Sequence, residues 1–260
     1  MDIRKNKIKA YFQERKSTFG IWNAIPDTYA AEICGGAGFD WVVVDAEHAP
    51  YDLSTILSSI QALSSHDTGI MVRTPSQDPI YIKKLLDFGV QSFLIPLVET
   101  KEQAELLVRA IHYPPKGIRG VGAAESRAAQ WSRVKDYYKK VPDELCLMVQ
   151  VESKTALENL EEICQVDGID GVFVGPADLA ATMDMLGQST HEDVRKEVRR
   201  SLSIITKARK VAGTLALKDE VIQEYLTAGA TFIGIGIDSD LLARQSEEVA
   251  KKWTSSNRDS

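Results

Sequence analysis

Short apolar runs, rich in β-branched residues, alternate along this chain with longer stretches whose apolar positions recur at helical spacing. Eight such runs predict strands: Phe19 to Trp22, Trp41 to Val44, Ile70 to Arg73, Ser92 to Val98, Leu145 to Val151, Gly171 to Val174, Thr214 to Leu217, and Thr231 to Ile237. Runs this apolar suit parallel strands buried on both faces beneath crossover helices. Helices are predicted between them at Ala30 to Gly36, Pro79 to Phe88, Lys101 to Ile111, Lys154 to Cys164, His191 to Val211 and Glu220 to Ala228. Several end in glycine ahead of the next strand, as in GAGFDW, DFGVQS and TAGATF, the residue a left-handed C-cap requires.

Eight strand–helix units predict an α/β chain folded as a closed (β/α)8 TIM barrel, with an open doubly wound sheet as the alternative if the strand count is off by one or two. A barrel of about 250 residues accounts for nearly the whole 260-residue chain. Without a linker rich in Gly, Pro or Ser, the reading is one domain over residues 1–253, followed by a polar tail from Thr254 to Ser260 expected to be disordered. One stretch breaks the regular spacing. It runs from Tyr113 to Tyr138, carries YPPKGIRGVGAAESRAAQW, and is long enough to read as functional.

Composition narrows the partners. A formal net charge of -6 disfavours nucleic acids and acidic membranes, which need a concentrated basic surface, but leaves room for a small organic anion. The three cysteines, Cys34, Cys146 and Cys164, are far apart in apolar stretches and read as core thiols. The charged opening MDIRKNKIKAYFQERK lacks a secretory apolar run, and nowhere do about 18 apolar residues follow one another. A soluble protein in the reducing cytoplasm is expected.

In such a barrel the chemistry sits at the C-terminal strand ends. Collecting polar residues there gives Asp45, Glu47 and His48 after strand two, Arg73 at the end of strand three, Gln150 and Glu152 at strand five, and Gly175, Pro176 and Asp178 after strand six. Glu152 and Asp178 follow adjacent strands, and two bare carboxylates brought together repel unless a cation lies between them. Mg²⁺ or Mn²⁺, completing its shell with water and substrate, suits two carboxylates better than structural zinc does. Alternatively, Asp178 caps the helix that follows. His48 is the histidine at a strand end and suits proton transfer at neutral pH, with Asp45 as a candidate partner; otherwise it is a hydrogen-bonded loop residue. Arg73 would stabilise an enolate oxygen or hold a carboxylate, or else make a structural salt bridge to Asp45 or Glu47.

Backbone N–H groups from Gly175 to Asp178 would cradle a substrate carboxylate. GIGID on strand eight is a weaker phosphate signal, since Asp238 at the next helix start would repel phosphate. RGVGAA reads equally as a close backbone approach to a ligand and as a plain turn. A Schiff-base aldolase needs a lysine on a strand; only Lys218 is near one, and it more readily starts the next helix. A metal-assisted enolate is therefore preferred.

At these positions the chain strongly resembles the HpcH/HpaI family of class II pyruvate aldolases. The resemblance runs from about Gly20 to Ala243 through GIWNAIPDTYAAEICGGAGFDWVVVDAEHAP, VRTPSQDPIYIKKLLDFG, YPPKGIRGVG, VQVESKTALENL and GVFVGPADLAA, in family order. It implies reversible cleavage of a 4-hydroxy-2-oxo acid to pyruvate and an aldehyde. Glu152 and Asp178 become the metal ligands, for Mg²⁺ or Mn²⁺ with Co²⁺ or Zn²⁺ as further candidates. Arg73 stabilises the enolate and His48 is the base, with Asp45 also in the catalytic set. Gln150 lies near the oxo acid, and Ala177 and Asp178 supply amides for its carboxylate. Trp22, Gly175 and Leu215 complete the substrate-binding set.

Asp87 matches an acidic residue that reaches the histidine of a neighbouring subunit, which implies a homo-oligomer, in particular a hexamer. Three departures fall where specificity is set: Ala46 in place of the usual glycine, TPSQDP without the frequent tryptophan, and TLALKDE in place of Ala and Asn after strand seven. Two rivals stand beside this reading: a citrate-lyase-like enzyme acting on an acyl-CoA, and a non-catalytic barrel that binds a 2-oxo acid.

Overall fold

The computed structural model describes residues 1–254. Eight parallel strands close into a barrel in sequence order: β1 Thr18–Asn23, β2 Trp41–Asp45, β3 Gly69–Arg73, β4 Ser92–Ile95, β5 Cys146–Val151, β6 Gly171–Val174, β7 Val211–Leu215 and β8 Phe232–Ile237. The (β/α)8 expectation holds, with edges moved. β4 stops at Ile95 because Pro96 cannot donate to a ladder, and β7 begins at Val211, which pairs with Gly171, so the helix before it covers only Glu192–Lys207. The predicted helix over Lys154 to Cys164 is two, broken at Asn159.

Strand periodicity sorts the core. Val42, Val44, Val72, Val149 and Val151 pack outward under the helices, while Trp41, Val43, Met71, Leu94, Met148 and Phe173 fill the barrel. Trp41 stacks on Phe232 with ring centroids 3.8 Å apart. Gly20 gives the ring its room: a Cβ there would lie 2.1 Å from the indole. The helix Lys7–Glu14, absent from the predicted set, packs Ile8 and Phe12 into this inner cluster. At the end of Pro79–Phe88, Gly89 takes φ +95° and closes the helix as predicted.

The long segment from Tyr113 to Tyr138 does not reach the catalytic mouth. It leads from the helix Lys101–Ile111 to β5, bonds to the C-terminal end of Pro79–Phe88 through Ala128 N–H to Asp87 O, and so lies at the N-terminal end of the barrel. All three cysteines are free and buried. Thr254 ends the helix Asp238–Thr254, and residues 255–260, most of the predicted tail, lie outside the described residues. Among the described residues no helix is long and apolar enough to cross a membrane.

Candidate active site

The same period-2 pattern that fills the barrel also aims the site residues. Trp41 and Val43 point inward, so Asp45 does too; Met71 is followed inward by Arg73, and Cys146 and Met148 by Gln150 and Glu152. Parallel register then sets neighbours. Asp45 pairs with Arg73 across β2 and β3, and Val151 with Val174, which brings Glu152 beside Gly175.

Arg73 is held on two sides. Its Nε donates to Asp45 Oδ1 at 2.9 Å and Nη2 to Oδ2 at 2.7 Å, while Nη1 lies 3.0 Å from Glu47 Oε2. The salt bridge posed as an alternative from sequence is thus formed, to both carboxylates. Its hydrogen bonds, both to Asp45, take two of a guanidinium's five N–H donors, while Glu47 Oε2 is paired with it by charge alone and has no hydrogen-bond partner among the described residues. Arg73 also lies 5.8 Å from the ring centroid of Trp22, which packs against Phe173.

His48 stands at the rim with its side chain 61% exposed, its Nε2 3.8 Å from Glu47 Oε2. Asp45 is not its ring partner; it accepts the backbone N–H groups of Glu47 and His48 and fixes the loop instead. Burial lifts the Glu47 carboxyl to about 7 against the pull of Arg73 and His48, with Glu152 and Asp45 pushing the same way as burial. A carboxyl raised in the folded state binds more protons there than when unfolded, so its contribution to stability falls as pH climbs from 4.5 to about 7. Glu47→Gln, which keeps an acceptor for Arg73, is expected to stabilise the cation-free protein by about 1 kcal/mol at pH 8 after allowance for solvent screening, and by little at pH 4.5. Urea melts at the two pH values check this; equal effects at both would contradict it.

Glu152 is 2% exposed, with Oε1 accepting Leu97 N–H at 2.9 Å and Oε2 accepting from Gln150 Nε2. Burial raises its pKa, those two donors oppose the rise, and the nearby Asp178 carboxylate adds to it. Asp178 does not cap its helix; Gly175 occupies that position and Asp178 lies exposed in the first turn. Gly175 N–H is taken by Val151 O, and Pro176 has none, so of the predicted cradle Ala177 and Asp178 keep free amides. A Cβ on Gly175 would lie 2.5 Å from Glu152 Oε2 and 3.2 Å from Gln150 Nε2. Gly175→Ala should therefore fold but lose about 10- to 100-fold in turnover, since it displaces the Glu152 carboxylate and the Gln150 amide that orients it. Measurement of kcat/KM, with circular dichroism for folding, checks this, and a wild-type value would refute the packing argument.

Asp45, His48, Arg73, Gln150, Glu152 and the turn from Gly175 to Asp178 line a cavity of about 640 Å³, bounded further by Trp22, Leu215, Leu217, Lys218 and Val221. Asp87 is not among them within one chain; it binds Arg119 Nη2 at 3.1 Å near the opposite end. Lys218 precedes the helix Asp219–Thr227, as expected, yet also lines the cavity. Asp238 has a role that sequence reasoning missed: nearly buried, it accepts from Asn23, Ala24 and Ile25 and ties the loop after β1 to β8. Leu97, at φ +57°, was missed as well, because a backbone N–H donor leaves no mark on side-chain pattern.

A chelated guanidinium, a carboxylate pair and a rim imidazole at the C-terminal mouth define a barrel enzyme for a small polar substrate. The profile of the HpcH/HpaI aldolase/citrate lyase family matches residues 18–245. The chain is 45% identical over 259 residues to a hydroxypyruvate/pyruvate aldolase of Deinococcus radiodurans, covering 100% of this chain and 94% of that relative. It is 40% identical over 253 residues to a 4-hydroxy-2-oxo-heptane-1,7-dioate aldolase of Shigella flexneri, covering 97% and 95%. The crystal structure of a family protein from Burkholderia cenocepacia J2315 superimposes with a TM-score of 0.91 at 31% identity, over 95% of this chain and 99% of that one. The chain belongs to the HpcH/HpaI aldolase/citrate lyase family.

Proposed function

We propose that this protein is a divalent-cation-dependent aldolase that reversibly cleaves a 4-hydroxy-2-oxo acid to pyruvate and an aldehyde. The observation that carries this reading is the charge imbalance at the mouth. Asp45 and Glu47 flank Arg73, Glu152 has Asp178 for a neighbour, and against these four carboxylates stand Arg73 and, on the cavity wall, Lys218; Gln150 Oε1 is buried there without a hydrogen-bond partner among the described residues.

Glu152 and Asp178 are oxygen donors of the kind hard cations prefer, and two of them leave most of a shell for water and an oxo acid, which fits Mg²⁺ or Mn²⁺ and admits Co²⁺ or Zn²⁺. Bound there, the cation supplies positive charge where negative charge develops on the substrate. Arg73 brings N–H donors not engaged by Asp45 to the same oxygen, and the amides of Ala177 and Asp178 receive the carboxylate. His48 takes the proton of the C4 hydroxyl; the C3–C4 bond breaks, its electron pair leaves as the pyruvate enolate, and protonation at C3 completes pyruvate. Glu47 is the carboxylate nearest the imidazole, its Oε2 3.8 Å from Nε2.

The wall of Trp22, Leu215 and Leu217 is the face offered to the aldehyde. Asp87 would reach a His48 only from a second copy of the chain, so a homo-oligomer, as a hexamer, belongs to this reading. Exposed Leu241, Leu242, Val249 and Trp253 on the helix Asp238–Thr254 give such an assembly apolar surface. Free buried thiols suit the cytoplasm.

EDTA should lower aldol cleavage at least ~10²-fold, with Mg²⁺ or Mn²⁺ restoring it. A panel of acid semialdehydes and hydroxyaldehydes offered with pyruvate then identifies the partner. Full turnover by metal-free protein would overturn the proposal.

A further inference from the structure

The segment from Tyr113 to Tyr138, which the catalytic site does not use, builds a second cavity at the N-terminal end of the barrel. It encloses about 150 Å³ between the helix Pro79–Phe88, the starts of β4 and β5, and the N-terminal segment. An adjoining cleft of about 50 Å³ shares Arg4, Gly89, Val90, Gln91 and Arg127 with it. The larger space alone holds roughly five waters' volume.

Three guanidinium groups line it: Arg4, Arg119 and Arg127. The Arg119 side chain is fully buried; Nη2 binds Asp87, the ring of Tyr113 lies 4.3 Å from the guanidinium carbon, and Nε and Nη1 have no hydrogen-bond acceptor among the described residues. Arg4 and Arg127 form no salt bridge with any described residue. Each uses one nitrogen, Arg4 Nη1 on Ser64 Oγ at 2.6 Å and Arg127 Nη1 on Phe88 O at 2.7 Å. Glu144 is no counter-ion for them, being bound by Lys5 and the Asn6 amide. Burial, and after it the like charge of Arg4, lower the pKa of half-buried Arg127.

A guanidinium stays charged at any physiological pH, so three of them around one cavity with a single carboxylate leave uncompensated positive charge, and Arg119 adds two buried nitrogens without acceptors. Proteins relieve that with an oxyanion, whose oxygens match the planar fork of arginine. We propose that this cavity binds a small polyvalent oxyanion, inorganic phosphate or a short dicarboxylate, through Arg4, Arg119 and Arg127. Within one chain the site is separate from the catalytic mouth, which lies at the opposite ends of the strands.

The test is isothermal titration of the full chain with sodium phosphate and, separately, sodium succinate, against sodium chloride at matched ionic strength. Expected is one saturable site per chain for one or both oxyanions, weakened at least tenfold in Arg4→Gln and in Arg127→Gln and largely kept in Arg127→Lys. Phosphate alone, or succinate alone, identifies which oxyanion the cavity takes. Circular dichroism checks folding; if Arg127→Gln does not fold, Arg4→Gln, on the exposed N-terminal segment, still decides. The proposal is overturned if wild type responds no more than to chloride, or if Arg4→Gln and Arg127→Gln bind as wild type does.

Discussion

Arg73→Ala is expected to remove at least ~10³-fold from kcat/KM and about 3–5 kcal/mol from stability. Both losses have one origin. Arg73 is only 11% exposed and is the guanidinium that compensates Asp45, itself 5% exposed at the side chain, and Glu47. Without it Asp45 keeps two backbone N–H donors, from Glu47 and His48, and a buried carboxylate with so little compensation is costly. The loop that carries His48 hangs on that carboxylate, so disorder there compounds the lost stabilisation of the developing charge. Arg73→Lys should recover little activity, because one ammonium cannot make the paired bonds to Asp45 while reaching Glu47. A double variant with Asp45→Asn separates the effects: it should regain most of the stability in a urea melt and none of the turnover. Turnover of Arg73→Lys within threefold of wild type would show that fork geometry is not what the site requires.

How far the site was legible in the sequence follows from the barrel itself. Inward positions alternate along each strand, so a polar residue two places beyond Val43, Met71 or Gln150 must face the mouth; Asp45, Arg73 and Glu152 were readable for that reason. What a residue touches was less readable. Arg73 was open between a ligand role and a salt bridge because sequence does not give side-chain reach, and the structure makes the bridge while leaving N–H donors over. His48 was matched with Asp45 by proximity along the chain, whereas Glu47 is closer to its ring because Asp45 is already engaged by Arg73. Leu97 was invisible, since its contribution is a backbone amide at an unusual φ. The segment from Tyr113 to Tyr138 was read as functional from length alone, and length carries no information about which end of the barrel a loop occupies.

The helix Lys7–Glu14 was missed for a related reason. Its charged surface hides two apolar positions, Ile8 and Phe12, whose partners come from β3 and β8 far along the chain. Periodicity over eight residues cannot announce contacts of that range. The consequence is a barrel stoppered at one end, which leaves the C-terminal mouth as the way into the catalytic cavity.

Glu152→Gln should lower aldol turnover by at least ~10³-fold while making the cation-free protein more stable at neutral pH. The two signs are the point of the experiment. Glu152 is buried beside Asp178, and burial together with that neighbour raises its pKa; folding therefore carries a penalty at pH 7 that is absent once pH falls below the unfolded carboxylate value. An amide of the same shape removes the charge and the penalty. It can still receive Leu97 N–H, but Gln150 must turn to avoid presenting N–H to N–H, and Gln150 Oε1, unpartnered in the wild type, becomes a ready acceptor. With cation present the order should reverse. Ligand that binds only the folded state stabilises it by mass action, so wild-type Tm should climb with Mg²⁺ concentration. The variant, with one carboxylate of the pair gone, should show little climb. Scanning calorimetry of both proteins across an Mg²⁺ series, at pH 7.5 and with EDTA controls, reads all of this at once. If the variant melts below wild type without cation, the buried charge is not a burden and Glu152 is held by something other than an absent ion. If instead both proteins climb equally with Mg²⁺, the cation binds elsewhere, and the charge imbalance at the mouth requires a different counter-charge.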